Sequence, residues 1–206
     1  MNHKNLIILL FLALIGLAPS QKTHYLVKFV YDGDTILTGT GQKVRYLGID
    51  APEIGYGIVK NEFMALTARE ENIRLLKKGK VHLEFDHEKK DRYGRLLAYV
   101  YLESGDMVNA LLIRKGLAHV SVKPPNLKHF KRFRQLQREA MRERIGIWGA
   151  PPGKEEAFYL GNRNSFRFHR PVCPYGRKTA PAHRLRFGSL GEAYGEGFSP
   201  CSKCLP

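Results

Sequence analysis

The composition of the chain limits its size class and its partners. Its 206 residues include 34 Lys and Arg against 19 Asp and Glu, which gives a formal net charge of +15. This length accommodates one ordinary domain and a small module, which excludes several full-sized domains. The positive balance favours polyanionic partners, either nucleic acid or an acidic envelope surface, and carries no information about the fold.

The first 20 residues have the pattern of an export signal. A short basic segment ends at Lys4, and an apolar run of 13 residues follows from Leu6 to Ala18, which is short for a transmembrane helix of roughly 20 residues. Ala18 and Ser20 provide the small residues of a cleavage site. We therefore predict a signal peptide cleaved after Ser20 and a secreted or periplasmic protein without a stable membrane span. The alternative is an uncleaved signal that anchors the protein to the membrane.

Alternation of apolar and polar side chains predicts five strands in the mature chain. They lie at residues 23–32, 33–49 (two strands around a Gly-rich turn), 80–86 and 94–102.

Helical spacing predicts three helices. The first spans roughly residues 61–78, and its apolar side chains near helical spacing are Phe63, Leu66, Ile73 and Leu76. Asp106 is the predicted N-cap of the second helix, and Gly116 ends it. The third spans roughly residues 127–144. Residues 123–144 hold eight Lys or Arg against two Glu, which indicates either a solvated helix face or a contact with nucleic acid.

The composition changes near residues 148–156. Before this segment the sequence has clear periodicity, and after it the sequence is rich in Gly, Pro, Arg and aromatic residues. We therefore predict one domain at residues 21–150, a linker at 151–158 and a small module at 159–206.

Acidic residues gather at the ends of two predicted strands. Asp32 and Asp34 flank Gly33, and alternate residues of an extended chain point to the same face. By itself this segment is also typical of a turn. The next strand pair ends near Asp50 and Glu53. Because neighbouring carboxylates cannot all stay charged without a positive group among them, the pattern favours a hard cation such as Ca²⁺.

Two arginines accompany these acids. Arg45 lies on the strand that leads to Asp50, and Arg95 begins a later strand. Planar guanidinium groups bind phosphoryl oxygens in pairs, so arginines beside a cation site indicate a phosphate diester as substrate.

The segments that carry these residues resemble the thermonuclease family, the staphylococcal-nuclease-like enzymes. The resemblance runs in order from about Val30 to Trp148 and rests on "DGDT", "VRYLGIDAPE" and "DRYGRLLAYVY". It implies a β-rich α+β fold, with a five-stranded OB-type barrel and three helices. It also implies Ca²⁺-dependent hydrolysis of phosphodiester bonds in DNA and RNA, leaving 3′-phosphates.

The resemblance implies a calcium site. Asp34 and Asp50 match the calcium carboxylates, and Ala51 stands where a main-chain carbonyl completes the set. Asp32 matches an acid close to the metal.

The resemblance also implies roles in catalysis and substrate binding. Arg45 and Arg95 match the two phosphate-binding arginines, and Glu53 matches the general base. Arg92 and Tyr93 match the position that contacts a terminal phosphate. In such a site the glutamate deprotonates a water while the arginines stabilise charge on the equatorial oxygens.

Two positions depart from the family pattern. The best-known members place two tyrosines against the bases after the "GLA" segment, whereas this chain has Val122 and Pro124 there. The resemblance therefore does not predict base stacking or a sequence preference for this chain.

The C-terminal segment contains all three cysteines. "FHRPVC" places His169 four positions before Cys173, and "PCSKC" supplies Cys201 and Cys204. Residues 159–204 resemble the Ada-type metal-binding module, in which four cysteines bind one Zn²⁺. Here His169 takes the first position, so the resemblance implies a structural Zn²⁺ site of three thiolates and one imidazole. The alternative in an oxidising compartment is a disulfide with one free thiol.

Two main functions follow from these patterns. The first is an exported Ca²⁺-dependent nuclease whose zinc module adds nucleic-acid affinity or stability. The second is a non-catalytic nucleic-acid-binding protein on the same barrel. Members that lose catalysis usually lack one of the arginines, the glutamate or a calcium aspartate, and all of these are present here. A third possibility is that the basic tail alone binds nucleic acid. We expect DNA and RNA as partners and a monomeric protein.

Overall fold

The structure is a computed structural model that describes residues 23–150 and 155–205. The predicted signal peptide lies outside these residues, as do residues 151–154 of the predicted linker. Within the described residues, no helix is both long enough and apolar enough to cross a bilayer.

Eleven strands and five helices, all of them short, make up the described chain. The strands are β1 (His24–Val30), β2 (Thr35–Thr38), β3 (Lys43–Tyr46), β4 (Ile49–Asp50), β5 (Lys80–Glu84), β6 (Leu96–Leu102), β7 (His119–Val120), β8 (Tyr159–Asn162), β9 (Arg167–His169), β10 (Arg184–Phe187) and β11 (Ser199–Pro200). The helices are α1 (Ala65–Leu75), α2 (Val108–Arg114), α3 (Phe130–Arg142), α4 (Pro174–Arg177) and α5 (Leu190–Gly195). Two 3₁₀ turns lie at Gly146–Gly149 and Pro181–His183.

The five predicted strands close into a barrel in the order β1-β2-β3-β6-β5. All neighbouring pairs are antiparallel except β3 and β6, which run parallel with Arg45 opposite Leu97. Closure leaves no unpaired edge strand. The predicted fold class, a five-stranded OB-type barrel with helices, is therefore confirmed. Two further strands, β4 and β7, form a separate antiparallel pair outside the barrel.

Alternate residues of the strands fill the barrel. Ile36, Val44, Val81 and Val100 have no exposed surface, as the period of two requires. A buried amide closes the end of this core: Asn109 of α2 donates from Nδ2 to the carbonyl of Leu47 (2.9 Å) and accepts at Oδ1 from the N–H of Val100 (2.9 Å). One side chain thus satisfies two backbone groups that would otherwise be buried without partners.

Helix α1 is shorter than predicted, and the face that it buries is not the predicted apolar face. It begins at Ala65 because Met64 has a φ of 67°, in the left-handed region that interrupts a right-handed helix. Three of its predicted apolar contacts are exposed to solvent: Phe63, Leu66 and Ile73. The buried face consists of small or polar residues, namely Ala65, Ala68 and Asn72. Apolar spacing is therefore the wrong guide here, because the helix packs closely through small side chains.

The predicted N-cap of α2 is also wrong. The helix begins at Val108 after Met107, and no side chain caps it. Asp106 accepts instead from the hydroxyl of Ser104 (2.8 Å), as short polar side chains do in turns. The predicted end is confirmed, since Gly116 follows the helix with a φ of 59°.

The C-terminal module contains a four-stranded sheet in the order β10-β8-β9-β11, together with α4 and α5. It packs against the barrel through α3. Arg134 and Arg138, from the basic run of the sequence, both form ion pairs with Glu196 of the module. Part of the run therefore joins the two halves of the chain, a role that neither sequence interpretation included.

Candidate active site and metal-ligand cluster

Asp34 directly precedes β2 and is almost fully buried. Its Oδ2 accepts from the backbone N–H of Ala51 (2.8 Å), and its Oδ1 accepts from the hydroxyl of Thr35 (3.1 Å). The backbone N–H of Asp34 in turn donates to Asp32 Oδ1 (2.9 Å). These bonds fix both carboxylates at the turn between β1 and β2.

The guanidinium of Arg45 lies between two carboxylates, forming ion pairs with Asp34 and Asp50. Burial raises the pKa of Asp34, an effect that Arg45 opposes and that the negative charges of Asp32 and Asp50 increase. The structure therefore brings Asp34 and Asp50 together with Arg45. Asp32, Asp34 and Asp50 against one guanidinium leave two formal negative charges.

A buried amide of α1 supports this turn. Asn72 donates from Nδ2 to the carbonyl of Asp32 (3.0 Å), and its Oδ1 accepts from the hydroxyl of Tyr46 (3.0 Å). Asn72 was not among the site residues predicted from the sequence. Its signal was a polar residue on the face of α1 that small residues otherwise occupy.

Glu53 lies at the mouth of the same site, two residues after Ala51. Its backbone N–H donates to Glu62 Oε2 (2.8 Å), and its carbonyl accepts from the N–H of Glu62 (3.0 Å). Burial raises the pKa of the Glu53 carboxyl, and the charge of Asp32 adds to this effect. The backbone is therefore held in place, while the carboxyl is partly covered by its neighbours and still reaches solvent.

Arg95 is not joined to this group by a hydrogen bond or ion pair among the described residues. Its Nε donates to Asp91 Oδ2 (2.7 Å), and its backbone N–H donates to Asp91 Oδ1 (3.0 Å). Arg95 precedes β6, which runs parallel to β3, so Arg95 and Arg45 lie on the same face of neighbouring strands. In the same turn, Arg92 donates to the hydroxyl of the exposed Tyr93 (2.5 Å).

His119 also adjoins the carboxylates, although the sequence pattern predicts no role for it. It lies opposite Asp50 in the β4–β7 pair, and its Nε2 is 3.8 Å from Asp50 Oδ2. The Nε2 atom is buried and has no hydrogen-bond partner among the described residues. Burial lowers the pKa of His119; the charge of Asp50 opposes this effect, and Arg167 of the module increases it.

The four predicted zinc ligands come together in the C-terminal module. One ligand atom from each of His169, Cys173, Cys201 and Cys204 lies within 4.8 Å of all the others. Cys173 Sγ is 3.5 Å from His169 Nδ1. Regular tetrahedral Zn–S bonds of about 2.3 Å place sulfur atoms about 3.8 Å apart. The group can therefore hold a metal ion with little rearrangement.

The oxidation state of the three cysteines and the charge state of the histidine in the cluster are compatible with metal binding. All three cysteines are free thiols in the structure. Burial lowers the pKa of His169, which favours the neutral imidazole that ligates metals. Burial raises the pKa of Cys204 to about 12. It opposes ionisation of Cys173 as well, but a hydrogen bond from the N–H of Gly176 and the neighbouring thiols lower the pKa of Cys173 overall. A bound cation stabilises all of these groups in their ligating forms.

The two candidate cation sites differ in how tightly their ligands gather. Within the described residues, the His–Cys cluster is the only set of three or more His, Cys, Asp or Glu side chains with ligand atoms all within 4.8 Å. The carboxylates of Asp32, Asp34 and Asp50 do not form such a set, and the guanidinium of Arg45 lies between two of them.

Comparison with known proteins identifies the family of the barrel. The family model described as staphylococcal nuclease homologue matches residues 43–150. The chain belongs to this family. Thermonuclease from Staphylococcus intermedius is 36% identical over 153 residues, which cover 69% of this chain and 90% of that protein. Thermonuclease from Staphylococcus hyicus is 38% identical over 136 residues, or 65% of this chain and 80% of that protein. Endonuclease YncB of Bacillus subtilis is 40% identical over 122 residues, 57% of each protein.

These relatives confirm the predicted family and the predicted enzyme class, a nuclease that hydrolyses phosphodiester bonds. The matched residues of the family model end at Ala150. The C-terminal module therefore lies outside that match, and its resemblance to the Ada-type module stays a prediction. The roles assigned to individual site residues also stay predictions.

Proposed function

We propose that the protein is an exported, Ca²⁺-dependent nuclease that cleaves DNA and RNA and leaves 3′-phosphates. It comprises a signal peptide at residues 1–20, a nuclease domain at 21–150, a linker at 151–158 and a zinc module at 159–206. The observation that carries the proposal is the convergence of Asp34 and Asp50 on Arg45 beside the Ala51 amide, in a chain of the nuclease family.

The residues at this point fit a calcium ion. The carboxylates of Asp34 and Asp50, with the main-chain carbonyl of Ala51, would hold it. All three supply oxygen, which Ca²⁺ requires, and the two formal negative charges left by Arg45 match its charge. When bound, Ca²⁺ supplies Lewis-acid polarisation of a phosphoryl oxygen. Extracellular sites of modest affinity fill readily, which agrees with export.

The side chains of the chain itself supply the remaining chemistry. Glu53 is open to solvent at the mouth of the site, where it can orient and deprotonate a water. Arg45 lies on β3, and Arg95 directly precedes the neighbouring parallel strand β6; from these positions two guanidinium groups would stabilise charge that develops on the equatorial oxygens. Removal of one such donor typically costs about 3 kcal/mol of barrier. Arg92 and Tyr93, exposed in the same turn as Arg95, would contact a terminal phosphate.

The C-terminal cluster would hold a structural Zn²⁺. Three thiols and one imidazole with mutual distances within 4.8 Å form a closed set with no position left for water or substrate. The module buries little apolar surface, so we expect metal binding and folding of the module to be one event.

The test is digestion of plasmid DNA and of RNA by purified protein from residue 21 onward, with Ca²⁺ and then with a Ca²⁺ chelator. Cleavage should require Ca²⁺ and should leave 3′-phosphate ends, detected by end-labelling with and without phosphatase. Glu53→Gln should lose most turnover while it keeps the folded spectrum of the wild type. Glu70→Gln is the matched control, since Glu70 is exposed on α1 and forms no ion pair among the described residues.

Full cleavage in excess chelator would refute the calcium requirement. A wild-type rate for Glu53→Gln would refute its role as general base. Binding of DNA without any cleavage would favour the non-catalytic alternative instead. Export is tested separately, by N-terminal sequencing of the protein recovered outside the cytoplasm, which should begin at Gln21.

A further inference from the structure

The cleft beside the proposed catalytic acids has one wall from each half of the chain. Its volume is about 790 Å³. The barrel side contributes Asp50 and Glu53, and the opposite side is built by the C-terminal module, which contributes Arg167, Arg170 and Tyr194. The module is therefore part of the space that substrate must enter.

The module is fixed in this position by buried contacts. Gln137 of α3 has no exposed surface. Its Oε1 accepts from the backbone N–H of Val120 (2.6 Å), and its Nε2 donates to the carbonyl of Tyr194. Val120 lies on β7 next to His119, the residue opposite Asp50. One buried side chain thus links the strand beside the catalytic acids to the module.

Aromatic packing strengthens the same junction. The ring of Tyr194 lies 5.6 Å from that of His119 and 5.1 Å from that of Trp148, both in edge-on geometry. Phe166 of the module packs at 5.0 Å against Phe130 of α3. Pairs of this kind stabilise contacts beyond the area that they bury. The two walls of the cleft are therefore expected to hold a constant relation to each other.

Two positive charges of the module face this cleft with few partners. Arg167 forms no ion pair among the described residues; its Nη1 donates to the carbonyl of Pro200 (3.0 Å). Arg170 has only a distant pair, with Nη1 3.6 Å from Glu156 Oε1, and its buried Nε has no hydrogen-bond partner among the described residues. Donors of this kind in a cleft that also holds Asp50 and Glu53 are suited to an anionic ligand.

We propose that Arg167 and Arg170 bind backbone phosphates of the substrate strand next to the scissile bond. This inference rests on the proposed nuclease function and deepens it, since it assigns the module a direct part in substrate binding. Guanidinium groups bind phosphate oxygens through paired N–H donors, whichever base is attached. Because these arginines do not touch the reacting atoms, they contribute equally to ground-state and transition-state binding. Their loss should raise KM and leave kcat unchanged.

The metal-ligand cluster determines where these arginines lie. Arg167 precedes His169 by two residues on β9, and Arg170 follows His169 directly. The backbone N–H of Arg170 donates to Cys204 Sγ (3.4 Å), and Pro200, which holds Arg167, precedes Cys201. A metal at the cluster would therefore order both substrate-binding arginines.

The experiment compares Arg167→Ala/Arg170→Ala with Arg163→Ala/Lys178→Ala. The second pair removes the same charge from the same module. Arg163 and Lys178 are exposed and form no side-chain hydrogen bond or ion pair within the described part of the chain. The probe is a fluorescent single-stranded DNA of about 12 nucleotides, with phosphorothioate linkages for binding and ordinary linkages for kinetics.

For the cleft pair we expect Kd and KM to rise roughly tenfold, with kcat within about twofold of wild type. The slope of log Kd against log salt should fall by about 1.4, the value for two lost phosphate contacts on a single strand. The control pair should change Kd by less than about threefold, as general screening allows. Arg167→Lys/Arg170→Lys should recover part of the affinity.

Equal weakening by both pairs, or an unchanged KM for the cleft pair, would overturn the proposal. A fall in kcat at constant KM would overturn it too. Metal content is measured for each variant. If the Arg167→Ala/Arg170→Ala variant loses metal, the single variant Arg170→Ala tests the proposal instead, because the nearest ionic partner of Arg170 is the distant Glu156. The experiment distinguishes failure of this proposal from failure of the proposed nuclease function. If the protein is not a nuclease, the wild type does not cleave, but the comparison of Kd values between the two variant pairs still tests phosphate binding by Arg167 and Arg170.

Discussion

The barrel and the C-terminal module differ in how much apolar surface they bury. The cluster centred on the barrel contains 25 buried residues from its strands, turns and helices, whereas that of the module contains five, four of them aromatic. The module has in addition a cluster of four side chains that could hold a metal ion. A domain of barrel size can rest on the hydrophobic effect alone, whereas the core of a unit of about 50 residues supplies little stability, and small units of this kind often add a metal, a disulfide or a partner surface.

The barrel and the module also differ in how they hold the residues proposed to act on the substrate. The barrel holds its proposed catalytic carboxylates with backbone N–H groups and a guanidinium, all parts of an independently packed fold. The module presents Arg167 and Arg170 from segments that adjoin the metal ligands. Loss of the metal should therefore act on substrate binding first, and loss of barrel packing on catalysis first. Three predictions test this comparison.

The largest effect is expected from Cys201→Ser in the full-length mature chain. Removal of a direct ligand should weaken metal binding more than the roughly 10- to 100-fold that loss of an outer-shell partner costs, and the module should lose structure with it. Barrel resonances in a ¹H–¹⁵N NMR spectrum should stay in place except near α3. Metal content by mass spectrometry and the NMR spectrum are the measurements.

Two variants control this prediction. His169→Cys should keep the metal, since thiolate and imidazole both ligate Zn²⁺, and Lys203→Ala should behave as the wild type because Lys203 is exposed beside the cluster. A disulfide between any two cysteines in metal-replete native protein would contradict the zinc assignment.

A smaller effect is expected from Gly33→Ala in the barrel. A Cβ at this position would lie 2.5 Å from the Cβ of Ala51 and 2.9 Å from that of Ala68. Because both neighbours are short side chains fixed to the backbone, the chain must move, at a cost of roughly 1–3 kcal/mol. The movement displaces the Ala51 amide that holds Asp34, so cleavage should fall while the zinc content of the C-terminal module stays at the wild-type level.

Ala51→Gly provides a matched rescue for this variant. It removes the closer of the two contacts, so the double variant should recover part of the stability and activity relative to the sum of the single changes. Thermal denaturation and the initial cleavage rate are the measurements. Strict additivity of the two changes would show that the clash at Ala51 is not the cause.

The smallest effect is expected from Glu84→Gln, at the junction of β5 and α3. Burial alone would raise the pKa of Glu84, but hydrogen bonds from Lys128, His129 and Tyr101 lower it to about 2. A lowered folded-state pKa stabilises the protein above the unfolded value and loses this effect as pH falls from about 4.5 to 2. We expect Glu84→Gln to cost roughly 1 kcal/mol at pH 7, since water and salt screen the pair, and less at pH 3.

Urea denaturation at both pH values measures this difference. Glu88→Gln is the control, because Glu88 is exposed and its nearest cation, Lys123, is 3.8 Å away. It should change the free energy of unfolding by less than about 0.5 kcal/mol. A difference between Glu84→Gln and wild type that grows as the solution is acidified would contradict the assignment.

Local patterns predicted most of the barrel. Alternation located its five strands because one face of each is buried, and Gly116 ended α2 because its positive φ suits glycine. The same reasoning failed where packing overrides local preference. α1 buries Ala65, Ala68 and Asn72 and leaves larger apolar residues exposed, and Asp106 bonds within its own turn.

Some residues of the candidate site could be predicted from local patterns and others could not. Asp34, Asp50 and Arg45 were found because their spacing along short strands brings them together. Asn72 and His119 were not, because each acts through contacts with residues far away in the chain.

The sequence by itself determined the five strands, the acidic turn and the spacing within each pair of proposed metal ligands of the module, since each depends on residues close together in the chain. Only the tertiary structure decided that the module forms a wall of the cleft. That arrangement depends on Gln137 reaching Val120 and Tyr194, and on Arg138 reaching Glu196, a residue 58 positions away. Contacts between residues so distant in sequence produce no periodic pattern in the sequence. Before its partner surface is known, the polar face of α3 cannot be distinguished from an ordinary solvent-exposed helix face.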